Sequence, residues 1–171
     1  YKPMPGYRFI ASNTDRSRYY VGELNGKSSK QAYMDALHIS ESNIINQTFH
    51  NPLGKMNGQD ICIISLKEVS GNGLCCYRQV NDSDVLVLLE EQDYNEILDE
   101  TLQRIRRDFN HISGVFSINC VFRYLLFSQE HHMEDYLKTM STLGEHAGLI
   151  GFGEHYNQQF VNQTMTCVVF E

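Results

Sequence analysis

Seven histidines and five cysteines are the residues of this chain that could hold a metal or attack a substrate. Metal centres built from them use short, regular spacings, because neighbouring ligands must face one ion from a single turn or helix face. The cysteines, at 62, 75, 76, 120 and 167, include no CxxC pair, and the histidines, at 38, 50, 111, 131, 132, 146 and 155, form no HExxH. His131 and His132 lie beside Glu134 and Asp135, but that cluster falls where a helix should begin, and acidic residues there offset the helix dipole. No metal site is expected. Cys75, Cys76 and Cys120 are conceivable nucleophiles. A free cysteine in an apolar run packs as a small hydrophobe, however, and no catalytic residue is expected. Gly151-Phe-Gly-Glu154 starts like a phosphate loop but completes neither the dinucleotide nor the P-loop signature, so a tight turn between strands accounts for it.

Arg123 stands apart, because it is the one charge inside the apolar run from Val115 to Phe127. A guanidinium among such neighbours needs an acceptor for its planar donors. Read as a single regular strand, the run puts Ser117, Asn119, Val121 and Arg123 on one face and Ile118, Cys120, Phe122 and Tyr124 on the other. The polar set falls together. Its counterpart is either an internal carboxylate, with Glu154 the candidate, or the anion of a ligand, and the residues alone leave both open. In the ligand reading, Arg123, Asn119 and Glu154 form the polar end of a binding site.

These residues need a scaffold, and 171 residues with 42% hydrophobic and 20% charged composition supply an ordinary globular one. A net charge of −7 with only 14 Lys+Arg argues against a nucleic-acid partner, which needs a dense basic face. Arg104, Arg106 and Arg107 form the longest basic cluster, at a predicted helix end where cations offset the dipole. No apolar run reaches the roughly 20 residues of a membrane span, and no signal peptide opens the chain, so no membrane contact is expected. The odd cysteine count points to a reducing, cytoplasmic setting with reduced thiols. The start at Tyr1 and end at Glu171 suggest part of a longer protein.

Tyr7–Ala11 and Tyr19–Leu24 read as a hairpin, followed by a short helix capped at Ser28 or Ser29. Ser40 to Gly58 reads mostly as loop. Ile61–Val69, Gly73–Val80 and Val85–Leu89 read as an antiparallel meander. Asp93 with Glu96 makes a capping box, and Leu98, Leu102, Ile105, Phe109 and Ile112 step at helical spacing up to Gly114. Met133, Tyr136, Leu137, Met140 and Leu143 mark another amphipathic helix, before strands at 149–152 and 165–170. The expected class is α+β, a mostly antiparallel sheet carrying about three helices around one core.

Five segments, Tyr20-Val-Gly-Glu-Leu-Asn-Gly26, Asn51-Pro-Leu-Gly54, Asn119-Cys-Val-Phe-Arg123, Gly151-Phe-Gly-Glu154 and Asn162-Gln-Thr-Met165, together resemble the C-terminal region of the FIST sensory family, in the right order. The likeness spans about 19–171, with 1–18 as an N-terminal strand and lead-in. The family's cysteine-to-arginine element falls on Cys120 and Arg123, and its Gly-Glu element on Gly153 and Glu154. Before Val85, where many relatives carry a glycine, this chain has Asn81-Asp-Ser-Asp84. The resemblance implies a bacterial, cytoplasmic, non-enzymatic domain that binds a small molecule such as an amino acid through Arg123, Glu154, Asn119 and Cys120. It also implies an output signalling domain in the same or a partner chain. No resident cofactor is expected, although some relatives look like haem-binding nitric oxide sensors, and a protein-interaction module is the other alternative.

Overall fold

The computed structural model describes residues 1–58, 60–156 and 159–171. Their contacts gather into two compact units, Tyr1–Glu91 and Gln92–Glu171.

In the first unit, strand β1 (Lys2–Asp15), β2 (Tyr20–Leu24) and β3 (Lys27–Ser28) lead into helix α1 (Ser29–Leu37) and the short α2 (Ile44–Gln47). Five further strands follow: β4 (Leu53–Asn57), β5 (Asp60–Ile64), β6 (Leu66–Ser70), β7 (Gly73–Cys76) and β8 (Val85–Glu90). They form an antiparallel sheet in the order β5-β4-β8-β1-β2-β7-β6, with β3 added on β2. The expected hairpin is present, with Ala11 opposite Leu24 and Thr14 opposite Val21. Residues 1–18 thus contain the whole of strand β1, which pairs with both β2 and β8. Ser28 caps α1, its hydroxyl accepting the Gln31 amide at 3.2 Å, and His38 closes the helix in the left-handed region at φ 54°. The helix buries Ala32, Tyr33 and Ala36 among Val21, Leu24, Leu74 and Leu86 of the sheet.

Three expectations for this unit need correction. The meander is not formed, since β8 pairs with β1 and β4 while β7 pairs with β2 and β6. The stretch from Ser40 to Gly58 holds α2 and β4 as well as loop. Gly-Lys-Met-Asn has little intrinsic strand preference, and β4 forms because β5 and β8 flank it on both sides. Gly54 permits that contact, since a Cβ there would stand 2.6 Å from Ile61 Cγ2. The run Ile61–Val69 is two strands rather than one. Ser65 alone separates β5 from β6, yet these lie at the two ends of the strand order, so the sheet must curl until its edges approach.

The second unit begins with α3 (Tyr94–Asp108). The Asp93 carboxylate accepts the Asn95 and Glu96 amides at 2.9 and 3.1 Å, and Arg106 and Arg107 occupy the last turn, as the sequence predicts. Leu98, Leu102 and Ile105 are buried. The helix stops earlier than its apolar spacing suggests, because Phe109 turns to an extended conformation at the C-cap and lies only partly buried. Strand β9 (Gly114–Cys120) then gives way directly to α4 (Val121–Gln129), which is followed by α5 (Met133–Ser141), β10 (Glu145–Gly151), β11 (Glu154–Tyr156), β12 (Gln159–Val161) and β13 (Met165–Phe170). β10 pairs parallel and β13 antiparallel to β9, while β11 and β12 form a separate hairpin.

The α+β class expected from sequence is the one observed, with α2 and α4 additional to the helices expected and β9–β10 a parallel exception. The long central strand expected from Val115 to Phe127 is not formed. It is a strand up to Cys120 and a helix from Val121. Continuous apolarity does not separate a buried strand from a buried helix, and here Leu126 and Phe127 are buried from the helical half. Among the described residues no helix is long and apolar enough to cross a membrane.

Candidate functional site

The polar face of β9 survives this correction. Ser117 and Asn119 alternate to one side of the strand, both buried, and the register places Gly148 and Ile150 of β10 beside them. Arg123 sits in the first turn of α4, four residues beyond Asn119, so its side chain reaches back over the strand end. Its Nη1 donates to Asn119 Oδ1 at 2.6 Å. The guanidinium carbon also lies 4.3 Å from the Phe127 ring centre and 4.8 Å from that of Tyr136, faces that attract a cation.

Since the Asn119 carbonyl faces Arg123, its amide nitrogen turns inward, donating to Tyr136 Oη at 3.0 Å and more weakly to Ser117 Oγ at 3.4 Å. Tyr136, fully buried on α5, donates to Ser117 Oγ at 3.3 Å. Ser117 Oγ lies 2.9 Å from His146 Nε2 on β10. Burial holds the His146 pKa below its ordinary value, which favours the neutral ring. Five side chains from β9, α4, α5 and β10 thus make one connected network.

A cavity of about 300 Å³ opens on this network. Ser117, Asn119, Tyr136 and His146 supply its polar lining, and Tyr124, Met133, Leu137, Leu149 and Ile150 its apolar wall. That combination, a mostly apolar surface with a few convergent polar groups, is the usual composition of a small-ligand site, and the volume lies at the small end of the range.

Of the four residues expected to bind ligand, Asn119 lines the cavity. Arg123 is not among the lining residues and acts on the cavity through Asn119. Cys120 is fully buried at the strand-to-helix joint, its backbone N–H donating to Thr164 O at 3.0 Å. Glu154 begins β11 after the Gly151–Gly153 turn, where Gly153 takes φ 118° and a Cβ would strike the Phe160 ring. Its Oε2 accepts the Thr164 hydroxyl, while its buried Oε1 has no hydrogen-bond partner among the described residues. Burial pushes the Glu154 carboxyl above its ordinary pKa, against the Thr164 hydrogen bond and the pull of Arg123, both of which act to lower it. Arg123 and Glu154 therefore feel each other, as the sequence suggests, and Thr164 ties Glu154 to the Cys120 backbone. Tyr136 and His146 were not singled out by sequence as site residues.

The other candidate chemistry is accounted for locally. His132 stacks on Tyr94 and Phe127, with ring centres 4.5 and 4.8 Å apart, and Glu134 pairs with Lys138 at 2.9 Å. All five cysteines are free thiols, and burial pushes Cys76 up to about 12 and raises Cys75 and Cys167. A haem does not fit the cavity: the histidine that lines it has Nε2 engaged by Ser117, and the space is that of a small ligand rather than a macrocycle with axial coordination.

A family model for the FIST C domain matches residues 30–157, a span that contains the whole network and Glu154. No curated protein and no solved structure matches the chain.

Proposed function

We propose, from the premise that this chain belongs to the FIST C domain family, that its second unit binds a small molecule in the cavity walled by β9, α5 and β10. The family is one of sensory domains in signal-transduction proteins. The observation that carries the reading is the convergence of Ser117, Asn119, Tyr136 and His146 on one 300 Å³ cavity. A bacterial cytoplasmic protein is the setting proposed, with an output signalling domain in the same or a partner chain that reads the occupied state. Five unpaired thiols suit a reducing compartment. A purely non-catalytic role is proposed because the buried thiols Cys75 and Cys76 are held away from the reactive thiolate form.

A thermal-shift screen of amino acids and other small metabolites tests this, since a ligand at 100 times its Kd adds about 2.7 kcal/mol to native stability. Hits should disappear in Leu137→Trp, which fills the cavity from a partly exposed helix position. Hits that survive this substitution would place the ligand elsewhere.

A further inference from the structure

The hydrogen bonds beneath the cavity have a direction. A guanidinium can only donate, so Arg123 fixes the Asn119 carbonyl toward itself and the Asn119 amide toward Tyr136. Tyr136 Oη then accepts from Asn119 and uses its own proton on Ser117 Oγ. Ser117 Oγ receives Tyr136 and Asn119, and its single proton is left for His146 Nε2. Running the last step backwards, with His146 Nε2–H donating to Ser117, would send the serine proton back to Tyr136. The tyrosine hydroxyl, 1% exposed, would then have no acceptor among these groups. The chain therefore ends on a neutral His146 that carries its proton on Nδ1. His146 is half-buried and lines the cavity, and its Nδ1 takes no part in the network's own hydrogen bonds.

We infer that the cavity selects an uncharged molecule with an apolar body and a carbonyl-type hydrogen-bond acceptor, received by the Nδ1–H of His146. The inference rests on the reading of this cavity as the ligand site and narrows its chemistry, away from the free amino acid that the family resemblance implies. No Asp, Glu, Lys or Arg stands among the described lining residues. An ammonium would find no carboxylate among the described lining residues, only neutral hydroxyls such as that of Tyr124, and a carboxylate would enter without a countercharge. Tyr124, Met133, Leu137, Leu149 and Ile150 supply the apolar wall that a short alkyl or aryl body would cover. Burial, which lowers the His146 pKa, acts in the same sense.

The experiment uses the unmodified chain, labelled with nitrogen-15. Imidazole nitrogen spectra at neutral pH should show His146 with a protonated Nδ1 and a bare Nε2. Three compounds of one chain length are then titrated: 2-heptanone, heptanoate and protonated 2-aminoheptane. The ketone should bind about tenfold or more tightly than either charged analogue, the order expected when a buried donor finds or misses its acceptor. His146→Phe should abolish that preference. A protonated Nε2 or a charged ring on His146 overturns the inference without any variant. Binding of the amine or the carboxylate in the cavity as tightly as the ketone overturns it too, while leaving the cavity as the ligand site. If none of the three moves a cavity resonance, the inference falls, and the metabolite screen with Leu137→Trp decides separately whether the cavity is the ligand site.

Discussion

Arg123 Nη1 lies 2.6 Å from Asn119 Oδ1, so a residue in the first turn of a helix fixes the amide of the strand residue that precedes that helix. The contact makes Arg123 a positioning residue rather than a direct contact of the cavity. Arg123→Met is expected to cost about 2 kcal/mol in urea denaturation, the worth of a charged hydrogen bond to a buried partner. Arg123→Lys should cost less, because an ammonium can still reach Asn119 but cannot match the planar stacking on Phe127 and Tyr136. Equal stability of all three proteins would show that the amide is not held.

Leu102 is 2% exposed on the inner stripe of α3, whereas Phe109 sits at its C-cap and is only partly buried. Leu102→Ala should therefore cost about 2 to 5 kcal/mol, and Phe109→Ala clearly less despite the larger side chain removed. The two values from one denaturation series decide it. The reverse order would mean that the helix continues through Phe109 in solution.

Glu154 gives a pH dependence of defined sign. Its carboxyl is raised above the ordinary value of 4.5 by burial, so the folded protein holds this proton more tightly than the unfolded chain does. The resulting stability is present when the group is protonated, is lost as pH rises from about 4.5 through the raised value, and stays lost above it. Glu154→Gln keeps an acceptor for Thr164 and removes the charge. Denaturation curves between pH 4 and pH 7 should fall with pH for the parent relative to the variant. A difference that is flat or of opposite slope would show that Arg123 and Thr164 outweigh burial.

Thiol reactivity separates the cysteines. Cys76 and Cys120 are 2% and 0% exposed, and Cys167 is the one cysteine that is not fully buried. Alkylation of the native protein at mild pH, read by peptide mass spectrometry, should be slow overall and should reach Cys167 before Cys76 or Cys120. Rapid labelling of Cys75 or Cys76 would revive a cysteine-based chemistry.

Elements whose signals are local were legible in the residues. The cap at Asp93, the stripe Leu98, Leu102 and Ile105, and the hairpin around Asn13 to Ser17 depend on neighbours within a few positions. β4 was missed because partners far along the chain create it, and α4 was missed because apolar residues suit a buried strand and a buried helix equally. The site divides in the same way. Strand alternation alone joined Ser117 to Asn119, and the expectation that Arg123 would sit with them held for a different reason, a helical turn instead of a strand face. Tyr136 and His146 reach Asn119 and Ser117 only because the chain crosses over through α4 and α5 to lay β10 parallel to β9, with Gly148 opposite Ser117. No spacing in the sequence encodes that pairing.

The strand order of the first unit also bears on how the chain emerges during synthesis. β1 is made first and finds β2 at once, but its other flank belongs to β8, where Phe9 pairs with Leu86 and Ile10 with Val85. Until the ribosome has delivered nearly the whole unit, that flank is an open edge with Ile10, Phe9 and Ala11 close to it, able to recruit a strand from another nascent chain. Closure needs contacts distant in sequence, which makes this sheet slow to complete relative to the helices of the second unit. A chain arrested before Val85 should be prone to aggregation, and expression at low temperature or with a chaperone that shields edges should raise the yield of the complete protein.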